Sequence, residues 1–308
     1  MSLVLDPQAA PTLTPEPAAA PVMAGRAERI WSYLRRNRSL LVGLGLLLAL
    51  TLFVLIGHLT VDVKDAAPMS TGSLKHPSLS LPFGSDKQGR NLYAVMVVGT
   101  PLTLRLGLIA GFIGLIAGAV VGFIAGYYGG IVDGVFWVII HVGLSIPALL
   151  ILIILAMRSS AGMTVNQMTF AISCLAWLYP ARIVRSQVLT LKERGYVQIA
   201  RLSGQTGREV IVKELLPNLL PYLVAGLVGS ISAAVLAAIG LEMLGLGPFE
   251  APTLGMTLYW VNYNAAIING WWWWWLPPII IISVLFTGLF LTAVGLDELS
   301  NPRLRNRV

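Results

Sequence analysis

Residues 102–127 read LTLRLGLIAGFIGLIAGAVVGFIAGY, a run in which Arg105 is the only charged residue. A helix needs about 20 mostly apolar residues to cross the hydrocarbon core of a bilayer. Glycine recurs at every fourth position of this run, at Gly114, Gly118, Gly122 and Gly126. Small residues at that spacing form one strip along a helix, where a second backbone can approach closely. The stretch therefore predicts a transmembrane helix packed tightly on a neighbour, which we favour over a direct contact with a substrate.

The composition of the whole chain supports a membrane protein. Of the 308 residues, 56% are apolar and 11% are charged, and the mean hydropathy is +0.78. These values lie outside the usage of soluble globular domains. Further apolar runs occupy residues 40–59, 132–157, 165–184, 219–246 and 272–295. We predict an all-α integral membrane protein with about six transmembrane helices.

The positions of the basic residues predict the orientation. Most of the 21 lysines and arginines lie in residues 26–38, in residues 182–213 and after Pro302. Positively charged loops stay in the cytoplasm during insertion, so both termini are expected there. The net charge of +7 is then explained by topology rather than by a nucleic-acid-binding face, and the chain is expected to be a multi-pass protein of the inner (plasma) membrane.

Polar segments divide the chain further. Residues 1–25 are rich in Pro and Ala and have no helical or strand period, which is typical of a disordered tail. Residues 26–308 form the predicted transmembrane domain. An external loop of about residues 60–100 and a cytoplasmic loop of about residues 186–218 are too long and too polar to be simple connections. We expect function to reside in these two loops.

The cytoplasmic loop has a helix–turn–helix pattern. Residues 196–203 have helical propensity and precede Gly204, which suits the left-handed turn after a short helix. A second stretch, residues 208–216, is expected to stop at Pro217 and Pro221, as the chain returns to the membrane. On spacing alone, a basic loop at the membrane surface explains the pattern equally well.

The same loop resembles the cytoplasmic loop of ABC importer permeases, whose pattern is Glu-Ala-Ala, three residues, Gly, nine residues, Ile-x-Leu-Pro. The matching residues are Ala200, Gly204, Leu216 and Pro217, and those that depart from the pattern are Gln198, Ile199 and Glu214. In that family the loop forms a coupling helix that sits in a cleft of the cytoplasmic ATPase. The resemblance implies this role for residues 186–218, here called the coupling segment, without the salt bridge that an acid at position 198 would make.

The external loop narrows the resemblance. Residues 83–91 are similar to the Leu-Gly-Thr-Asp-x-x-Gly-Arg-Asp stretch of permeases of the dipeptide, oligopeptide and nickel class, and the shared residues are Gly84, Asp86, Gly89 and Arg90. Similar stretches follow in the same order at residues 125–130 with Asp133, residues 145–147, residues 240–247, and Asp297 with residues 301–303. The resemblance extends from about residue 30 to the end of the chain.

Membership of this class implies a type I ABC importer permease fold and the role of the second permease subunit. The implied partners are a homologous permease, two cytoplasmic ATPase subunits and an extracytoplasmic substrate-binding protein. ATP and Mg would bind to the ATPases, so no cofactor is expected on this chain. The implied solute is a peptide, with an oligosaccharide or a nickel chelate as alternatives.

Ionisable residues at membrane depth are usually functional or paired. Arg105 is predicted near the external end of its span, where it can extend to the interface. Glu242 lies further inside its span, and we expect it to line the pathway or to contact another helix.

Two local features of the spans have structural interpretations. Trp271 to Trp275 are expected to mark the external interface at the start of the last span, because indole rings favour that boundary. Pro147 is expected to bend its span.

The sequence contains little that suggests chemistry. It has no Gly-Lys-Ser/Thr phosphate-binding loop, and His58, His76, His141 and the single Cys174 have no metal-ligand spacing. We therefore predict no catalytic or metal-binding residue. A metal-dependent membrane enzyme is a weak alternative, and a stand-alone secondary transporter is a stronger one, although the inverted repeats typical of such transporters are not evident.

Overall fold

The structure, a computed structural model, describes residues 37–158 and 162–300, without the side chains of residues 299 and 300. Within these ranges the only β pairing is an isolated bridge between Ser85 and Asn91. The predicted all-α class is thus confirmed. The predicted tail, residues 1–25, and the C-terminal residues 301–303 lie outside the described residues.

The helices are α1 (Arg38–Thr60), a 3-10 turn (Val63–Ala66), α2 (Leu92–Tyr128), α3 (Gly130–Ser145), α4 (Ala148–Ala156), α5 (Val165–Ala176), α6 (Leu178–Leu191), α7 (Gly195–Leu202), α8 (Gly207–Glu209), a π-helical turn (Val210–Leu215), α9 (Leu216–Met243), α10 (Leu254–Tyr263) and α11 (Trp272–Ser300).

Four stretches of helix are long and apolar enough to cross a membrane: α1, α2, α8 continued through α9, and α11. The pair α3 and α4 makes a fifth if the two are counted as one span bent by 75°. The predicted span at residues 165–184 is instead divided into α5 and α6 at Trp177. The described helices therefore confirm a multi-pass membrane protein but not the six-span count.

The bend between α3 and α4 confirms the expectation for Pro147. This proline follows Ile146, which is extended (φ −91°, ψ 125°) and ends α3. Proline disfavours helical geometry in the residue before it, so the helix stops there and resumes at Ala148. The bend leaves an open space beside α4.

The glycine strip of α2 packs on the break between α5 and α6 and on α6 itself. A Cβ atom added at Gly118 would lie 2.6 Å from the carbonyl oxygen of Trp177, and one at Gly122 would lie 2.8 Å from the Cβ of Val184. Only glycine permits this close approach of two backbones. The predicted tight packing is confirmed.

The first and last helices pack antiparallel. Gly43 of α1 lies against Thr292 of α11, and Gly288 lies against Leu47. At the start of α1 the side chain of Asn37 accepts a hydrogen bond from the Leu40 N–H at 3.0 Å, which satisfies one free donor of the first turn.

Two boundaries differ from the predictions. Helix α2 begins at Leu92, where Asn91 accepts a hydrogen bond from the Tyr93 N–H, so the external loop is shorter than residues 60–100. The helix also does not stop at Pro217 or Pro221. Pro217 lies in the first turn of α9, directly after the π-helical turn, in which the Leu216 N–H donates to Ile211. The helix nevertheless continues from Gly207 to Met243 through both prolines.

Candidate functional site

The coupling segment is a short helix followed by a tight turn, as predicted. Helix α7 ends at Leu202, Ser203 is its C-cap, and Gly204 has φ +84°. The Gly204 N–H donates to Arg201 and the Gln205 N–H donates to Ala200, which closes the helix end in the manner of a left-handed C-cap. A Cβ at Gly204 would have no neighbour within 4 Å. Backbone conformation, rather than space, therefore requires glycine here.

A capping box restarts the helix after the turn. The Glu209 N–H donates to the Thr206 hydroxyl, and the Thr206 N–H donates to the Glu209 carboxylate at 2.9 Å. Lys213 adds an exposed ion pair to Glu209 at 3.0 Å. Glu214, one of the predicted coupling residues, lies in the π-helical turn, with an oxygen 3.5 Å from the amide nitrogen of Gln205. The turn at Gly204 is thus flanked by a defined helix end and a defined helix start.

One face of α7 is anchored in the protein. Val197 and Ala200 are buried in a cluster with Phe123 of α2, Val188 of α6 and Leu215 of the π-helical turn. These apolar contacts join the short helix to three longer ones. Helix α7 is therefore packed in one apolar cluster with α2, α6 and the start of α9.

The opposite face of α7 is apolar but exposed. Ile199 is 65% exposed and Leu202 is 88% exposed, and Gln198 on the same face donates to the Glu193 carbonyl at 3.4 Å. Two large aliphatic side chains one helical turn apart present a surface that another protein can cover. Of the residues predicted from the resemblance, Gln198 is exposed and Ala200 is buried, and Ile199 and Leu202 are the exposed aliphatic residues of α7.

Polar contacts also attach the coupling segment to the end of α2. The Arg201 guanidinium lies 4.8 Å from the ring centroid of Tyr127. Lys192 donates to the Gly126 carbonyl at 3.1 Å, and a Cβ at Gly207 would lie 2.8 Å from the Tyr127 ring. The end of α2 is thus in direct contact with both sides of the turn at Gly204.

The external loop is folded around a buried ion pair. The Arg90 Nε lies 2.6 Å from the Asp86 Oδ2, and both side chains are almost fully buried. Gly84 and Gly89 have positive φ values of +65° and +72°. The four predicted loop residues thus lie within one tightly turned segment, where two of them supply backbone conformation and two supply the ion pair.

The tryptophan run does more than mark an interface. Trp272 is half exposed, but Trp273 and Trp274 are buried, at 4% and 0% exposure. The Trp273 Nε1 donates to the Ser85 carbonyl of the external loop at 3.3 Å, and its ring lies 4.2 Å from that of His76. The expectation of an interfacial belt is wrong for these two rings, because the folded loop covers the start of α11.

Arg105 does not lie near the end of its helix. Since α2 begins at Leu92, Arg105 lies about 20 Å along the helix axis at 1.5 Å per residue. Its side chain is exposed, and the described part of the chain offers it no ion pair. Because α2, at 37 residues, is much longer than a bilayer crossing requires, the position of Arg105 near the external end of its membrane span stays a prediction.

Glu242 is buried where α9 meets α10. It is 1% exposed, and a Cβ at Gly247 would lie 2.6 Å from its Cγ. One carboxylate oxygen lies against Gly255 in the first turn of α10, where the helix dipole favours negative charge. Of the two roles considered, this position supports helix contact.

A cavity of about 650 Å³ lies beside α4, between the break of α5 and α6 and helix α9. Small residues of α9 form one wall, and Tyr179, Tyr222 and Asp297 also line the space. The sequence signalled this site only weakly.

Within the described ranges no three His, Cys, Asp or Glu side chains come together in a way that could hold a metal ion. His141 contacts the carbonyl of Trp137 through Nδ1 at 2.7 Å, and its ring stacks on the Trp137 ring.

Comparisons with known proteins agree with this architecture. A family model described as binding-protein-dependent transport system inner membrane component matches residues 118–306. The dipeptide transport system permease protein DppC of Bacillus subtilis (strain 168) is 30% identical over 275 residues, which cover 89% of this chain and 85% of that protein. The oligopeptide transport system permease protein OppC of Escherichia coli (strain K12) is 30% identical over 231 residues, 72% of this chain and 74% of the relative.

Among solved structures, a chain from inward-facing conformations of the MetNI methionine ABC transporter is similar, with a TM-score of 0.48 and 22% identity over 65% of this chain and 96% of the other. The family match covers more than half of the chain and includes the coupling segment, α9 and α11. The chain belongs to the family of binding-protein-dependent transport system inner membrane components, as a multi-pass inner-membrane permease subunit of an ABC importer.

Proposed function

We propose that this permease carries peptides and that α7 is the helix through which cytoplasmic ATPase subunits drive it. The observation that carries the proposal is the two-faced character of α7, with Val197 and Ala200 anchored in the protein and Ile199 and Leu202 exposed. The names of the relatives, dipeptide and oligopeptide permeases, support peptides as the solute.

In this proposal a homologous second permease completes the pathway, two ATPases bind inside, and a binding protein delivers the solute from outside. ATP and Mg bind to the ATPases, and the chemistry of hydrolysis belongs to them rather than to this chain. Closure of the ATPases displaces α7, and the apolar cluster at Phe123, Val188 and Leu215 transmits the movement to the long helices. The predicted coupling residues have positioning roles. Gly204 terminates α7, and Pro217 lies in the first turn of α9, the helix to which α7 transmits its movement.

The test is a single charge placed on the exposed face of α7. Leu202→Asp should leave the chain in the membrane but remove the ATPases from the complex that co-purifies with it in mild detergent, because an unpaired carboxylate would be buried at the contact. Leu79→Asp is the matched control, since Leu79 is a fully exposed leucine of the external loop. Uptake of a labelled dipeptide should fall at least tenfold in the first variant and remain unchanged in the control.

Retention of the ATPases by the Leu202→Asp variant would contradict the role of α7. Uptake of peptide by the purified chain alone, without ATPases, would favour a stand-alone secondary transporter. Uptake assays with an oligosaccharide and with a nickel chelate in place of the dipeptide distinguish the solutes.

A further inference from the structure

The cavity beside α4 has apolar walls along most of its length. Its wall on α9 extends from Tyr222 to Ala237, about 22 Å at 1.5 Å per residue. Gly226, Ser230 and Ala233 face the space along this wall, and none of them has a bulky side chain to fill it. A volume of about 650 Å³ falls within the range of small-molecule sites.

Apart from Ser230, the polar side chains of the cavity are those of Tyr179, Tyr222 and Asp297. Asp297 of α11 lines it together with the phenols of Tyr179 and Tyr222, and the Asp297 carboxylate lies near the Tyr222 phenol. Asp297 is the only charged residue among the described residues that line the space. Its side chain is exposed, and the described part of the chain offers it no ion pair. A single carboxylate flanked by two hydroxyls is a site for one cationic group.

From this geometry we propose that the cavity holds the transported solute in an intermediate position, with an ammonium group of the solute at Asp297 and its apolar side chains along α9. The inference rests on the proposed function, since it names the part of a peptide that this pathway recognises. A peptide with a free amino terminus carries one ammonium group, which suits the Asp297 carboxylate, and a row of side chains, which suits the apolar wall on α9. Charge complementarity favours such a solute over an apolar helix of a second permease, because only the solute supplies a cation to the one carboxylate that lines the cavity.

The neighbouring residue provides a matched control. Glu298 follows Asp297 on α11, but its carboxylate accepts a hydrogen bond from the Asn37 side chain at 2.6 Å and it does not line the cavity. Glu298→Gln therefore removes the same charge one residue away from the proposed site.

The experiment uses the full complex purified from its native membrane without nucleotide and without the binding protein. The probes are Leu-photoleucine-Leu with a free amino terminus and the same tripeptide with an acetylated amino terminus. After irradiation, mass spectrometry locates the labelled residues. We expect the free-amine probe to label residues 222–237, and we expect Asp297→Asn to reduce that labelling on the order of threefold. The acetylated probe should label the unaltered protein and the Asp297→Asn variant weakly and to the same extent. The free-amine probe should label the Glu298→Gln variant as strongly as the unaltered protein.

Three results would overturn the inference. Labelling outside the cavity would mean that the space does not hold the solute. If Asp297→Asn reduced labelling by the two probes equally, Asp297 would have a structural role. If Glu298→Gln reduced labelling by the free-amine probe as much as Asp297→Asn does, the total charge of this region, rather than a site at Asp297, would explain the labelling. Failure of the proposed function would appear separately, as absence of the ATPases from the purified complex. The labelled residues of this chain would still be identified by mass spectrometry in that case.

Discussion

The carboxylate of Asp133 and the guanidinium of Arg185 form a two-pronged ion pair, with Arg185 Nη2 donating to Asp133 Oδ2 at 2.7 Å and Arg185 Nε donating to the second carboxylate oxygen. The side chains are 18% and 20% exposed. This geometry is the strongest form of a carboxylate contact. The pair joins the first turn of α3 to α6, close to where the coupling segment leaves α6.

Removal of this ion pair should lower stability measurably. Asp133→Asn leaves a partly buried guanidinium without its counter-charge, and we expect a loss of about 1–3 kcal/mol. The measurement is the thermal unfolding midpoint in detergent, compared with Arg182→Gln, which removes an exposed arginine of α6. Because the two partners share one interaction, the double variant Asp133→Asn with Arg185→Gln should lose less than the sum of the single losses. Strict additivity would mean that the pair does not couple the helices.

The glycine strip of α2 predicts a second, steric effect. At Gly118 a Cβ would lie 2.6 Å from a backbone oxygen of Trp177, so Gly118→Ala must push two helices apart, at a loss of about 1–3 kcal/mol. Gly134 of α3 has no neighbour within 4 Å of a Cβ, so Gly134→Ala should gain up to about 1 kcal/mol from helix propensity. Opposite shifts of the unfolding midpoint are therefore expected. Equal shifts of the same sign would argue against close contact of α2 with the α5–α6 break.

Local patterns predicted much of the fold. The length and composition of the apolar runs predicted the long helices, and the spacing of glycines predicted the glycine strip. Single residues predicted the bend at Pro147 and the left-handed turn at Gly204. Each of these features depends on residues near one another in the chain. The start of α2 was predicted ten residues too late, at residue 102 instead of Leu92. Residues 92–101 are held by contacts with the external loop, with Thr253 and with α1, which no local pattern reveals. Thr103, for example, accepts a hydrogen bond from Leu254, far along the chain.

The candidate site depended more strongly on distant contacts. Gly204 was predicted from its position after a short helix, and Ala200 only from the resemblance to ABC importer permeases. The exposed face of α7 at Ile199 and Leu202 could be assigned only after the cluster around Val197 was known. Tyr179, Tyr222 and Asp297 lie on three separate helices, so their meeting at one cavity is a property of the packing alone. Pro217 was taken as a stop because the preceding π-helical turn, which positions it in a first turn, has no simple sequence signal.

The contact between α11 and the external loop predicts a local rather than a global change. Trp273→Phe removes the hydrogen bond to the Ser85 carbonyl and part of a buried ring, and it should loosen the loop by about 1–2 kcal/mol. We expect faster cleavage of the loop by an added protease in right-side-out vesicles. Trp272→Phe, at a half-exposed ring, should leave the cleavage rate unchanged. Loop cleavage that is equally slow in both variants would mean that Trp273 does not hold the loop.

The turn at Gly204 allows a test in which conformation changes but packing does not. Its φ of +84° disfavours residues with a Cβ by about 1–2 kcal/mol, most strongly when the side chain is β-branched, and a Cβ there would touch nothing within 4 Å. Gly204→Val should therefore unwind the end of α7 and reduce dipeptide uptake at least tenfold, with the amount of chain in the membrane unchanged. Asparagine tolerates the left-handed region, so Gly204→Asn should retain most of the uptake. Equal loss in the two variants would indicate that a side chain at this position clashes with the ATPase, and full uptake in both would show that coupling does not require a defined end to α7.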